Sequence, residues 1–313
     1  MTDTTSLPTE YRTIATGLRF PEGPVPLRDG SVLVVEIERG TLSRVAPDGQ
    51  VTVVADCGGG PNGCAIGPDG SAWITNNGGC FGWIDLGTLI LPGPLPEDWT
   101  GGSIQKVDLA TGAVETVYDS CDGRPLRAPN DLVFDRHGGF WFTDHGVRDG
   151  RSSDRTGVFY AAANGSSITE VIFPLDAPNG IGLSPAGDRV YVAETHTGRV
   201  WAWSVPEPGV AVGTGLLEPH GELLAGLEGY QLLDSLAVDG EGNVCVGTLN
   251  NGGITVISPD GSSVRHLPID DPLVTNIAFG GDDLRTAYVT ASGTGRLLAV
   301  DWPVDGLELA HHA

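Results

Sequence analysis

The stretch Asn130-Asp-Leu-Val-Phe-Asp-Arg-His-Gly-Gly-Phe-Trp-Phe-Thr-Asp144 decides the fold. An oxygen-bearing residue opens it and a short apolar run follows. A Gly-containing turn then reverses the chain, and a second apolar run ends on another polar residue, which reads as a β-hairpin. The same pattern recurs from Glu22 to Glu36, Asn62 to Asn76, Asn179 to Glu194, Asp234 to Thr248 and Asn276 to Thr290. Two further strand-like runs follow each copy. After Asp144 they are Gly157-VFYAA and Ile168-TEVIF around Asn164-Gly165, a strong hairpin signal. After Glu36 they are Thr41-LSRV and Val51-TVVA around Pro47-Asp48-Gly49.

Six copies of four antiparallel strands predict an all-β fold, a six-bladed β-propeller that takes up residues 1–313 as one domain. The ring must also close. A fourth strand is missing after Arg296-LLAVD, whereas Tyr11-RTIATGL stands directly before Glu22. The N-terminal strand is therefore expected to complete the last blade, which removes an exposed sheet edge.

Composition agrees. With 47 Gly, 22 Pro, one Met and 40% apolar residues in 313, the chain is rich in turns and poor in long amphipathic helices. Its formal net charge of −23, from 40 acidic and 17 basic residues, argues against nucleic acid and against an anionic membrane surface. No apolar run approaches the ~20 residues that span a bilayer. The start, Met1-Thr-Asp-Thr-Thr-Ser-Leu-Pro, reads as no signal peptide. Five cysteines without a C-x-x-C pair suggest reduced thiols in the cytoplasm.

Equivalent positions in a ring of repeats lie equally far from its axis. Glu22, Asn62, Asn130, Asn179, Asp234 and Asn276 should therefore crowd one mouth of the central channel. Turn chemistry explains some Asn and Asp at such positions, but not Glu22, and not a set made of oxygen donors alone. Oxygen ligation carrying two formal charges suits a hard divalent cation. Ca²⁺ fits best, with Mg²⁺ or Mn²⁺ next and Zn²⁺ behind for want of His or Cys.

The segments Arg19-Phe-Pro-Glu-Gly-Pro, Ala128-Pro-Asn-Asp-Leu-Val-Phe-Asp, Phe140-Trp-Phe-Thr-Asp and Ala177-Pro-Asn-Gly-Ile carry a resemblance. From about Leu18 to Asp301 the chain resembles the senescence-marker-protein/gluconolactonase family, which includes luciferin-regenerating enzyme and the related diisopropyl-fluorophosphatases. The resemblance implies a six-bladed propeller with divalent-metal-dependent hydrolysis, usually of lactones. It implies Glu22, Asn179 and Asp234 as metal ligands, and Asn130 as a fourth ligand or a substrate contact. Asp234 would also be general base or nucleophile. Asn62 and Asn276 have no such assignment and stand on spacing alone, as candidate substrate contacts. Two positions depart from the sugar-lactone pattern. An Arg common two residues before Asn130 is replaced by Ala128, and an aromatic residue common after Pro-Glu-Gly-Pro is replaced by Pro26.

Strand direction places the loops after Glu36, Asn76, Asp144, Glu194, Thr248 and Thr290 around the same mouth. The step from Glu22 to Asn62 is 40 residues and that from Asn62 to Asn130 is 68, so blade 2 carries an insertion at about 79–100. Phe81, Trp83, Ile84, Leu89, Ile90 and Trp99 give it a heavy apolar load. It reads as a lid over a small-molecule site or as a surface for homo-oligomer formation, and the two are compatible. In the blade 3 loop, His145 and Arg148 are candidate substrate contacts, as are Phe81 and Trp83 in the insertion.

No G-x-S-x-G elbow, P-loop or dinucleotide fingerprint occurs, which disfavours serine hydrolase and nucleotide chemistry. The reading is a lactonase or related carboxylic-ester hydrolase. Its alternatives are another metal-assisted reaction on a hydrophobic substrate, such as phosphotriester hydrolysis, and a binding module with a structural metal.

Overall fold

The computed structural model describes residues 7–312. Most of the N-terminal stretch read for targeting signals lies outside them. Five four-stranded antiparallel sheets and one of five strands follow one another around an axis. Blade 1 comprises Pro21–Pro26, Val32–Glu36, Thr41–Val45 and Val51–Asp56. Blade 2 comprises Pro61–Ile66, Ala72–Asn76, Ser103–Val107 and Val114–Tyr118. Blade 3 is Pro129–Phe134, Gly139–Asp144, Thr156–Ala162 and Ile168–Leu175. Blade 5 is Leu232–Val238, Val244–Leu249, Gly253–Ile257 and Val264–Pro268.

Blade 4 departs from the plain pattern. After Pro178–Leu183, Arg189–Glu194 and Arg199–Glu207, its outer edge is split between Val210–Val212 and Glu222–Gly226, both paired with the third strand. Blade 6 contributes Val274–Gly280, Thr286–Ala291 and Arg296–Asp301 from its own end of the chain. Its fourth strand is Arg12–Ala15, with Arg12 opposite Ala299 and Thr13 opposite Leu298. The ring thus closes as the sequence predicts.

Each sheet is covered on both faces by its neighbours, which explains why second strands such as VLVVE and GFWFTD are buried throughout. The core is divided accordingly. Blades 2 and 3 enclose Trp73, Ile104, Phe134, Phe140 and Phe142. Blades 3 and 4 enclose Trp141, Val158, Val190 and Trp203. The closing seam holds Ala15, Leu18, Val32, Val34 and Leu297. No helix among the described residues is long and apolar enough to cross a membrane.

Candidate metal centre at the axial mouth

Every innermost strand loses register at the same place. The shift falls between Glu22 and Val25, Pro61 and Cys64, Pro129 and Leu132, Pro178 and Ile181, Leu233 and Leu236, and Val274 and Asn276. A bulge re-aims a side chain and frees backbone groups from the ladder. Here hydroxyls take up the freed groups and staple one blade to the next. Thr75 Oγ1 accepts from Gly63 N and donates to the Asn130 carbonyl of blade 3. Thr143 Oγ1 accepts from Asp131 N at 3.1 Å and donates to the Asn179 carbonyl of blade 4 at 2.6 Å. Ser292 Oγ donates to the Pro21 carbonyl of blade 1.

The polar residues that end the second strands hold the entering chain. Asp144 accepts from Arg127 N and Ala128 N, both at 2.7 Å, and Asn76 Oδ1 accepts from Gly60 N at 3.0 Å. Glu36 accepts from Arg19 N at 2.7 Å, and Glu194 from Asp176 N at 2.8 Å. These residues are structural supports for the position of the axial residues.

Glu22, Asn179, Asp234 and Asn276 lie together at the axis, and Asn62 and Asn130 are buried at the equivalent positions of their blades. Glu22 is 1% exposed, Asn179 4%, and Asn62, Asn130 and Asn276 each 5%. Asp234 is half-buried, and its carboxylate lies beside Asn179 and close enough to Glu22 and Asp131 to feel their charge. Glu22 Oε2 accepts from Asn276 Nδ2 at 2.6 Å and from Gly23 N. Asn276 Oδ1 in turn accepts from Ile277 N at 2.7 Å, so Asn276 is a hydrogen-bonded support for Glu22. Asn179 Nδ2 donates to Thr195 Oγ1 at 3.1 Å, which leaves its carbonyl oxygen toward the Ser235 hydroxyl at 3.4 Å. Glu22 Oε1 and Asn130 Oδ1 are buried without any partner.

Asp131 was not among the candidates read from the sequence. Three blades carry Gly after the axial residue, at Gly23, Gly63 and Gly180, where a Cβ would meet the next blade's backbone at 2.5–2.7 Å. Blade 3 has an acid there instead. Asp131 accepts from Leu132 N at 2.9 Å and Ile181 N at 3.3 Å, and is buried beside the ring. The break in the Gly pattern is the signal that points to it.

Burial raises three carboxylates that lie together at the axis. Burial pushes Glu22 up to about 7, against the pull of its bonds to Asn276 and Gly23. Burial and then the Glu22 charge push Asp131 up to about 8, and the same two causes raise Asp234 well above the usual carboxylate range. Without a counter-charge these groups must take up protons, and a bound cation removes that need. The donor set fits a hard cation: two unpartnered buried oxygens, two carboxylates and carboxamide carbonyls. Among the described residues no group of three His, Cys, Asp or Glu is arranged to hold a metal, so any cation here would draw on the carboxamides.

The surrounding loops give the mouth two unlike sides. Residues 77–102 pack on blades 1 and 6, with Phe81, Trp83 and Ile90 against Phe20, Ile37 and Leu273. On blades 3 and 4 the His145 and His196 rings meet edge to face, 5.7 Å between centroids. Burial lowers both, His196 to about 4 with help from the neighbouring His145, so the pair is neutral at pH 7. Arg148 pairs with Asp176 at 3.0 Å on an exposed surface, and its charge reaches His145 and His196. On the other side of the ring the channel widens into a cavity of about 450 Å³. Its walls run from Gly23, Asp131 and Asn276 to residues 307–312, where the His311 ring lies 5.4 Å from that of Phe134.

The family model described as the SMP-30/Gluconolactonase/LRE-like region matches residues 20–293. The chain is 27% identical to a gluconolactonase of Zymomonas mobilis, over 91% of its own length and 79% of that protein. It is 25% identical to a pentonolactonase of Haloferax volcanii, over 91% and 86% respectively. Among solved structures, the calcium-binding protein regucalcin of Agrobacterium tumefaciens shares the fold with a TM-score of 0.74 at 18% identity. That match covers 97% of this chain and 98% of the other.

Proposed function

As the chain belongs to the SMP-30/gluconolactonase/LRE-like family, we propose that it is a lactonase, with a divalent cation, Ca²⁺ foremost, held by Glu22, Asn130, Asn179 and Asp234. The gluconolactonase and pentonolactonase relatives support the activity, and the calcium-binding neighbour supports the metal. The observation that carries the site is the pair of buried, unpartnered oxygens, Glu22 Oε1 and Asn130 Oδ1, beside two further buried or half-buried carboxylates.

When bound, the cation supplies Lewis-acid polarisation of the ester carbonyl. Glu22 supplies charge from a side chain fixed by Asn276, while the Asn130 and Asn179 backbones are fixed by Thr75 and Thr143. Asp234 is the half-buried carboxylate of the set, and in this reading it takes the proton of the attacking water or attacks the acyl carbon itself. As base, Asp234 hands that proton to the ring oxygen, which leaves as the alcohol when the acyl–oxygen bond breaks. As nucleophile it forms a mixed anhydride while the ring oxygen takes a proton from solvent, and water then cleaves the anhydride to restore the carboxylate. In both cases the new carboxylic acid loses its proton to solvent. The neutral His145–His196 pair offers uncharged polar contacts to the same substrate.

Lactone hydrolysis followed by acid release, before and after chelation, tests this reading. Activity lost with chelator and regained with Ca²⁺ is the expected result. Full activity in metal-free protein overturns the metal role, and a lactone panel without turnover overturns the activity.

The partner is a small molecule, since the charge of −23 opposes nucleic acid and anionic membranes. Five buried, unpaired cysteines support a cytoplasmic location. Any pairing of two copies through the insertion would use its tip, where Ile84 is 44% and Leu86 59% exposed, and sedimentation reads it directly.

A further inference from the structure

The insertion is pinned at both ends and along its length. At the stem, Asn77 N donates to Gly60 O at 2.9 Å and Gly102 N to Leu126 O at 3.1 Å. Trp99 Nε1 donates to Asn77 O at 2.8 Å, and the Arg127 guanidinium lies 4.5 Å over the Trp99 ring while bonding Asp154 at 2.8 Å. At the far end, Ile90 N donates to Gly293 O of blade 6 at 2.9 Å. Arg19 joins Asp85 of the insertion at 3.0 Å to Glu38 of blade 1 at 2.7 Å. The ring centroids of Trp83 and Phe20 are 5.0 Å apart, and those of Phe81 and Trp83 are 5.9 Å apart.

The receiving residues flank the axial set. Phe20 lies two positions before Glu22, Ile37 directly follows Glu36, and Leu273 lies just before the strand that carries Asn276. The insertion therefore covers the arc of the mouth formed by blades 6, 1 and 2. Phe81, Trp83, Leu89 and Leu91 are only half-buried, so the insertion keeps apolar surface open to solvent. The polar groups of the mouth stand on the other side, at His145 and His196. A substrate with hydroxyls all around its ring would lose water from several of them against this arc without gaining partners. A lactone whose ester sits at the axial oxygens and whose alkyl substituent lies along the arc loses none.

We propose that residues 77–102 form a fixed apolar wall that selects γ- or δ-lactones bearing an alkyl side chain, with Phe81 and Trp83 as specificity-determining residues. The proposal rests on the lactonase reading and names its substrate class.

The test compares kcat/KM of the Ca²⁺-loaded protein on γ-butyrolactone, γ-hexalactone, γ-octalactone, γ-decalactone and glucono-δ-lactone. The expected result is a rise of about fourfold per methylene over the first additions, with glucono-δ-lactone poorest. Trp83→Gln should flatten the rise through KM, whereas Phe81→Leu, which keeps the wall apolar, should retain it. A second variant guards against a loosened fold. A Cβ on Gly78 would lie 1.9 Å from Gly101 O, so the ends of the insertion touch and residues 79–100 can be replaced by two glycines. That variant should also flatten the rise. Preference of the wild type for glucono-δ-lactone over γ-decalactone, or an unchanged rise in both Trp83→Gln and the shortened variant, overturns the proposal and leaves the lactonase reading standing. No turnover of any lactone overturns both.

Discussion

Asn276 of the last blade donates to Glu22 of the first through a 2.6 Å hydrogen bond between residues 254 positions apart. This bond occupies one carboxylate oxygen and leaves Oε1 as the unpartnered one. It also makes the geometry of the candidate ligand depend on closure of the ring.

Asn276→Leu removes the donor while keeping the volume. Calorimetric titration should then show Ca²⁺ affinity about tenfold to a hundredfold weaker, the range found when a group that orients a ligand is lost. Asn276→Gln should recover part of it. Unchanged affinity in Asn276→Leu would separate Glu22 from the cation.

Asp234→Asn keeps the size of the side chain and removes its basicity. Lactone hydrolysis should fall about a hundredfold to ten-thousandfold, the usual share of a general base. Thermal melting of the variant reports whether the fold is kept, and a fall smaller than tenfold in a folded variant excludes the assigned role.

A cation that binds only the folded chain stabilises it by mass action, about 2.7 kcal/mol at a hundred times Kd. Scanning calorimetry should therefore show a melting temperature that rises with Ca²⁺ in the wild type. Glu22→Gln should lose most of that rise, since it removes one of the two ligand charges.

His145 and His196 titrate below the ordinary histidine value of about 6.5. The unfolded chain then takes up protons before the folded one, so stability falls as the pH drops. The contribution is fully present above pH 6.5 and is lost as the pH falls through about 4, where His196 titrates in the fold. Denaturant midpoints measured between pH 7 and 4 should fall less steeply in His196→Gln than in the wild type.

Arg12–Ala15 is paired with the strand that carries Leu297 and Leu298, and Ala15 is buried in the closing seam. A chain shortened to begin at Gly17 exposes that edge. It should melt at a lower temperature and self-associate, as an open sheet edge does, and size-exclusion chromatography would show it.

Much of this was legible in the chain itself. Hairpin signals such as Asn164-Gly165 and alternating apolar runs are local, and six copies of them define six blades without any contact being known. Equivalence of repeats is enough to bring Glu22, Asn130, Asn179 and Asp234 to one mouth, because a ring puts equal positions at equal radius. The strand before Glu22 was identifiable by the gap it fills.

The tertiary structure decided what those side chains do on arrival. Asn276 and Glu22 are both oxygen-bearing and both axial, yet only their meeting across the seam makes one the donor and the other the candidate ligand. Asp131 joins the carboxylates because a bulge turns it beside the ring where three other blades have glycine, and the side to which a bulge re-aims a residue is not written in the alternation of apolar residues. The insertion's composition announced an apolar surface. Its destination on Phe20, Ile37 and Leu273 depended on blades 1 and 6 being neighbours, which closure of the ring alone brings about.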